Sequence, residues 1–116
     1  MKGNLGDKER ILHILEAIDN VFQFTKNITK SEFDSNLMLR LACSKLVADI
    51  GEASTYLSEN LRTKYSNIPW RSIKGMRNFI VHEYFGVDYE GLWEVITRDL
   101  PNLEIEIKKV KVENNF

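Results

Sequence analysis

One cysteine, two prolines and no long apolar run define what this 116-residue chain does without. With Cys43 alone, no internal disulfide can form and no thiolate metal cluster can be built. Nothing therefore ties the chain to an oxidising compartment. Two prolines leave room for long helices. No apolar stretch approaches the ~20 residues needed to cross a bilayer. Met1-Lys2-Gly3-Asn4-Leu5-Gly6-Asp7 lacks the apolar core of a secretion signal. The expectation is a cytoplasmic protein with no membrane partner. Gly75 and Gly86 are isolated, so there is no glycine-rich phosphate loop. Glu83, Asp88 and Glu90 lie near His82, but neither an HExxH pattern nor a carboxylate cluster at metal spacing is present. No repeat, low-complexity tract or linker divides the chain, and a single domain over 1–116 is expected.

What is present is an ordinary globular composition, 43% hydrophobic and 28% charged, sufficient to bury a core without staples. The net charge of -1 conceals an uneven distribution. Between Asn60 and His82 lie Arg62, Lys64, Arg71, Lys74 and Arg77, with no Asp or Glu. Beyond Asp88 the acids Glu90, Glu94, Asp99, Glu104, Glu106 and Glu113 outnumber the bases Arg98, Lys108, Lys109 and Lys111. The basic middle suits a polyanion, and it also suits a solvated helix face.

Apolar residues recur at helical spacing. Ile11, Ile14, Leu15, Ile18 and Phe22, broadened by Leu12, Val21 and Phe24, predict a first helix from Asp7 to about Lys26, capped by Asp7. Asn27-Ile28-Thr29-Lys30-Ser31 reads as a turn, with Ser31 and Asp34 as a capping pair. Leu39, Ala42/Cys43, Leu46, Ile50, Ala53 and Leu57 predict one long second helix from Asp34 to Leu61. Gly51 interrupts its interior at a cost of ~1 kcal/mol relative to Ala, which close approach of another helix would offset. Thr63 to Ile68 reads as a loop. Pro69 then opens a third helix carrying Trp70, Ile73, Met76, Ile80 and Val81, fading between His82 and Phe85 before Gly86. Asp88 caps a fourth helix with Leu92, Trp93, Val95 and Ile96, broken or kinked at Pro101. Leu103 to Val112 alternates as a strand would and also fits a helix; without a partner strand, a helix with a frayed end is favoured. The fold class is all-α, an antiparallel four-helix bundle with a possible short fifth helix.

The chemistry concentrates in Arg77-Asn78-Phe79-Ile80-Val81-His82-Glu83-Tyr84. A guanidinium grips anionic oxygens in a planar fork. An imidazole gives or takes a proton near neutral pH. Phosphoryl chemistry on RNA needs both and can proceed without a metal. On an ideal helix Arg77 and Tyr84 share a face, while His82 lies about 140° from Arg77. The helix must therefore end or distort near His82, or a second chain must complete the site. Other readings stay open: His82 as a helix-end histidine satisfied by carbonyls, Arg77 as a partner for Glu52, and Tyr84 as a half-buried aromatic. His13 falls on a polar face, and Cys43 reads as a small buried residue.

Arg77-Asn78-x3-His82-x-Tyr84 resembles the Arg-x4-His-x-Tyr motif of HepT-like toxins, helical metal-independent ribonucleases of the HEPN superfamily. Ile50-Gly51-Glu52-Ala53, Ile68-Pro69-Trp70, Met76-Arg77-Asn78, and Trp93 with Leu100-Pro101-Asn102-Leu103 are similar to further elements of that family. The likeness runs from about Asp7 to Val110, with no departure at the motif. It implies a four-helix bundle acting as a homodimer, with two Arg/His motifs facing one cleft. It implies Arg77 and His82 as catalytic residues, Asn78, Tyr84 and Glu52 as supporting residues, RNA as substrate, and no cofactor or metal. It also implies a toxin–antitoxin pair in which an MntA-like minimal nucleotidyltransferase antitoxin transfers AMP to Tyr84. The alternative is a non-catalytic binding subunit of such a transferase.

Overall fold

A computed structural model of the chain describes residues 6–79 and 87–116. Every regular element among them is helical. Helix α1 spans Asp7–Thr25, α2 Lys30–Asp34, α3 Leu37–Ser54, α4 Glu59–Lys64 and α5 Trp70–Lys74. A 3-10 turn, Gly75–Phe79, prolongs α5. Helix α6 (Tyr89–Glu94) runs through a π segment, Val95–Asp99, into α7 (Leu100–Glu113). The four rods of the expected bundle are thus α1, α3, α5 with its 3-10 turn, and α6–α7; α2 and α4 are short additions. No described helix is long and apolar enough to cross a membrane.

The apolar stripes supply the core. Ile11, Ile14, Ile18 and Val21 of α1 are wholly buried, as are Cys43, Val47 and Ile50 of α3 and Leu100, Ile107 and Val110 of α6–α7. Asp7 near the start of α1 meets Ser58 just beyond the end of α3, so these rods run antiparallel. Asn67, ahead of α5, meets Glu106 midway along α7, which sets the start of α5 against that helix.

Several boundaries differ from expectation. Asp7 is not the cap of α1. Gly6 holds that place, its N–H donating to Glu9 Oε1 at 2.9 Å. Asp7 instead accepts from Ser58 N at 2.8 Å and Ser58 Oγ at 2.6 Å. The capping pair of α2 is Thr29 with Glu32, not Ser31 with Asp34: Glu32 N donates to Thr29 Oγ1 and Thr29 N to Glu32 Oε1. The expected single helix from Asp34 to Leu61 is two helices, α3 and the start of α4, with Asp34 itself closing α2. Asn36 caps α3 by accepting from Leu39 N, and Ser58 caps α4 by accepting from Leu61 N. The loop expected from Thr63 starts later, because α4 runs to Lys64. Pro69 stands at the N-cap of α5 rather than within its first turn.

Asp88 does cap α6, accepting from Gly91 N at 3.0 Å. Pro101 does not end the helix that follows. The π segment shifts the register first, with Leu100 N bonded to Val95 O. That widening makes room for a ring that would otherwise press on the carbonyl four residues back. Leu103 to Val112 is helical, and α7 extends to Glu113. Helix α2 docks on α6 through Phe33 and Trp93, ring centroids 4.8 Å apart, and through Lys30 and Glu90 at 2.8 Å. Arg40 of α3 stacks on Tyr89 at 4.6 Å.

Cys43 is wholly buried, and burial pushes its thiol from the usual 9.0 up to about 11. Two units leave ~100-fold less thiolate at a given pH. A chromogenic disulfide reagent at pH 8 should therefore label native protein at least ~100-fold more slowly than urea-unfolded protein. Equal rates in the two states would show that Cys43 is not held in this core.

Candidate functional site

The contact between α3 and the α5 rod shapes the region around Arg77. Gly51 is buried on α3 and faces that rod. A Cβ at Gly51 would lie 2.7 Å from Arg77 N, 2.9 Å from Ile73 O and 3.0 Å from Arg77 Cγ. The first two are backbone atoms and cannot swing aside. The expected offset to a mid-helix glycine is therefore present, and what approaches is the backbone that carries Arg77.

Helix α5 is pinned at its start. Trp70 Nε1 donates to Tyr65 O at 3.1 Å, and Trp70 N to Ile68 O at 2.8 Å. Ile73 and Met76 are buried, which fixes the rotation of the rod. The α-helical winding gives way at Gly75, whose φ of -62° and ψ of -18° are 3-10 values. Arg77 and Asn78 therefore lie in a 3-10 turn and not in the regular helix expected through this region. Distortion was expected near His82; among the described residues it begins earlier, ahead of Arg77. The 140° separation assumed an ideal helix at Arg77, which stands in a 3-10 turn instead; its relation to His82 lies outside the described residues.

Arg77 Nη1 lies 3.6 Å from Glu52 Oε1. Both side chains are about half exposed, 47% and 53%. Such a pair contributes ~0–1 kcal/mol to stability, so its effect is on orientation. Of the expected site residues, Arg77 and Glu52 come together, and Asn78 is exposed on the same turn as Arg77. His82, Tyr84 and Glu83 lie outside the described residues, as does the expected fading of the helix between His82 and Phe85. His13 is exposed, as expected. Among the described residues, no three His, Cys, Asp or Glu side chains lie close enough to hold one metal ion.

A groove of about 560 Å³ lies on the other side of the α5 rod. Ile73, Met76, Phe79, Val95 and Leu103 form its apolar lining, and Ser72, Asp99, Asn102 and Glu106 supply polar groups. It was not expected from the sequence. Its one visible sign was the Asp99-Leu100-Pro101 interruption, where the π segment places Asp99 and Asn102 on the groove.

The Ribonuclease HepT-like family matches residues 14–110, nearly all of the described bundle. The chain belongs to the HepT-like ribonuclease family. A relative from Methanocaldococcus jannaschii, named as a candidate RNase, is 40% identical over 103 residues, covering 89% of this chain and 94% of the relative. One from Caldanaerobacter subterraneus, also named as a candidate RNase, is 37% identical over 98 residues, covering 84% and 88%. One from Thermococcus cleftensis, named as a probable ribonuclease HepT, is 32% identical over 104 residues, covering 90% and 94%. No solved structure matches the chain. For a HepT-like chain, the Gly51-Glu52 pair has a direct physical reading: the glycine admits the backbone of the Arg77 turn, and the neighbouring carboxylate flanks the guanidinium.

The glycine contact can be tested by contrast. Gly51→Ala should lower stability by ~1–3 kcal/mol, the usual cost of overpacking, although Ala gains ~1 kcal/mol in helix propensity. Gly75→Ala, where a Cβ meets nothing within 4 Å, should be neutral or stabilising by ~0.4–1 kcal/mol. Urea melts of both variants decide it; a stable Gly51→Ala protein would contradict the close approach.

Proposed function

We propose that this protein is a metal-independent endoribonuclease and the toxin of a toxin–antitoxin pair. The observation that carries the reading is the presentation of Arg77. Its backbone is seated against Gly51 and its guanidinium is flanked by Glu52, yet the group stays half exposed. The relatives' names point to the same substrate class.

In this reaction the ribose 2′-hydroxyl attacks the adjacent phosphorus and the P–O5′ bond breaks. The products are a 2′,3′-cyclic phosphate and a 5′-hydroxyl. His82 acts as general base on the 2′-hydroxyl or as general acid on the leaving 5′-oxygen, since its ordinary pKa permits either at neutral pH. Arg77 stabilises the charge that builds on the non-bridging oxygens. Glu52 keeps the guanidinium oriented, and Asn78 positions the strand or His82. In a two-fold dimer the partner's motif faces the same cleft and supplies the complementary proton transfer. Tyr84 is the control point. Transfer of AMP to its hydroxyl by a cognate MntA-like nucleotidyltransferase adds bulk and negative charge, which oppose an incoming phosphodiester.

The discriminating assay is RNA cleavage in EDTA. Wild-type protein should cleave a single-stranded substrate, leaving cyclic phosphate ends, and His82→Ala should lose ~10²–10⁴-fold in rate. Arg77→Lys should not restore wild-type activity, because an ammonium lacks the planar fork. Equal cleavage by wild type and His82→Ala would end the catalytic assignment. Binding of a nucleotidyltransferase without any cleavage would favour a non-catalytic subunit.

The control point has its own test. Tyr84→Phe should cleave RNA within a few-fold of wild type but resist both AMP transfer and inhibition by the cognate transferase. Mass addition of AMP to the Phe variant would move the modification to another residue.

A further inference from the structure

Surface bases on this bundle are mostly occupied by neighbours. Lys30 pairs with Asp34 and Glu90, Lys45 with Asp49, Arg98 with Glu94, Lys108 with Glu104 and Lys109 with Glu106. Arg10, Arg40 and Lys64 stack on Tyr56, Tyr89 and Tyr65. Lys8, Lys26, Arg62 and Lys111 have no such partner among the described residues, and the α5 rod adds two more bases of this kind three residues apart. Arg71 and Lys74 are exposed and form no ion pair or aromatic stack with any described residue. The sequence offers them no local acid, since Asn60 to His82 contains none.

The packing of the rod explains where these bases point. The Ile73 carbonyl and Arg77 meet α3, while Ser72, Ile73, Met76 and Phe79 line the groove against α6–α7. That leaves Arg71, Lys74 and Asn78, at i, i+3 and i+7, on the outward face, with Arg77 at its edge. Arg71 and Lys74 are separated by ~4.5 Å of axial rise, and Lys74 and Arg77 by ~6 Å in the tighter winding. Residues three apart eclipse in a 3-10 turn, so Lys74 and Arg77 stand nearly in line. The result is a row of three cations along the rod, ending at the guanidinium of the candidate site.

We propose that Arg71 and Lys74 form a phosphate track that holds the RNA strand flanking the scissile bond and delivers it to Arg77. The proposal rests on the ribonuclease reading above. Arg71 grips a phosphate through its fork and Lys74 as a point charge. Contacts of this kind carry register and affinity but no sequence information. Both are positioning residues: they act on the strand, away from the reacting atoms.

The test compares wild type, Arg71→Gln/Lys74→Gln, and a control of equal charge change away from the α5 rod, Lys26→Gln/Lys111→Gln. Steady-state cleavage of a short single-stranded RNA is followed from 50 to 200 mM salt. The track double variant should raise KM ~10-fold at the lower salt, leave kcat within ~2-fold, and flatten the salt slope of log kcat/KM by ~1.4, about 0.7 per lost contact on a single strand. The control should leave KM and slope at wild-type values. Unchanged KM and slope in the track variant, equal shifts in the control, or a loss confined to kcat would each overturn the proposal. If wild-type protein cleaves no RNA, the ribonuclease reading fails separately. Equilibrium binding of fluorescently labelled RNA then decides the track: it survives only if the track variant binds ~10-fold more weakly than the control at low salt.

Discussion

The approach of the α5 rod to Gly51 is the constraint on which the rest of this arrangement depends. A bare Cα at that position lets Arg77 N and Ile73 O come closer than any side chain would allow. Ile50, Ile73 and Met76 are buried around the contact, and their apolar burial offsets the ~1 kcal/mol that a mid-helix glycine costs. The next residue on α3 turns away from the contact by one helical step. Glu52 therefore emerges at the edge of the seam, where it meets the guanidinium of Arg77. One glycine thus decides both how close the two rods come and which carboxylate stands beside the arginine.

Polar contacts between distant parts of the chain hold the rods in register with that seam. Asp7 ties the start of α1 to the turn after α3, a link of 51 residues in sequence. Tyr65 O receives the indole N–H of Trp70 and fixes where α5 begins. Lys30 and Glu90 bridge α2 to α6. These contacts are exposed or partly so and add little stability individually. Their effect is geometric. Helix starts that are fixed from outside their own segment present Arg77 on rigid elements, as a site with preorganised charge requires.

The apolar period in the sequence sufficed for the inner face of α1 and for Gly51 as a point of close approach; for Leu103 to Val112 it fitted strand and helix alike, and the lack of a partner strand decided for the all-α bundle. The period did not suffice for the breaks within 34–61. Leu39, Leu46 and Ile50 lie within α3, and Leu57, buried in the connection that follows, falls on the same period although the helix has already ended. The signals that mark those breaks are single polar residues, Asn36 and Ser58. The capping role of Ser58 is reinforced by Asp7, a partner no local window contains. Thr29 with Glu32 and Ser31 with Asp34 are competing capping pairs two residues apart, and the one with the longer acid closes the box. The 3-10 turn had only Gly75 as a local sign, since tertiary packing against α3 accompanies the tighter winding. Of the site, Arg77 and Glu52 are brought together and Asn78 is exposed on the Arg77 turn, while the parts carried by His82 and Tyr84 are readings of sequence and family alone.

The ion pair between Arg77 and Glu52 has a further consequence. Its contribution to stability is small because both groups remain half in water. A weak, solvent-screened partner is easily exchanged. In the absence of substrate, Glu52 limits the rotamers open to Arg77 and so lowers the ordering cost of binding an anion. A phosphodiester offers the same planar fork two oxygens and displaces water as it docks, which strengthens the new contact relative to the old. On the proposed function, Glu52 would then be a placeholder. It would orient the guanidinium along the seam and, being half exposed, yield it to a phosphate arriving along the outward face of α5.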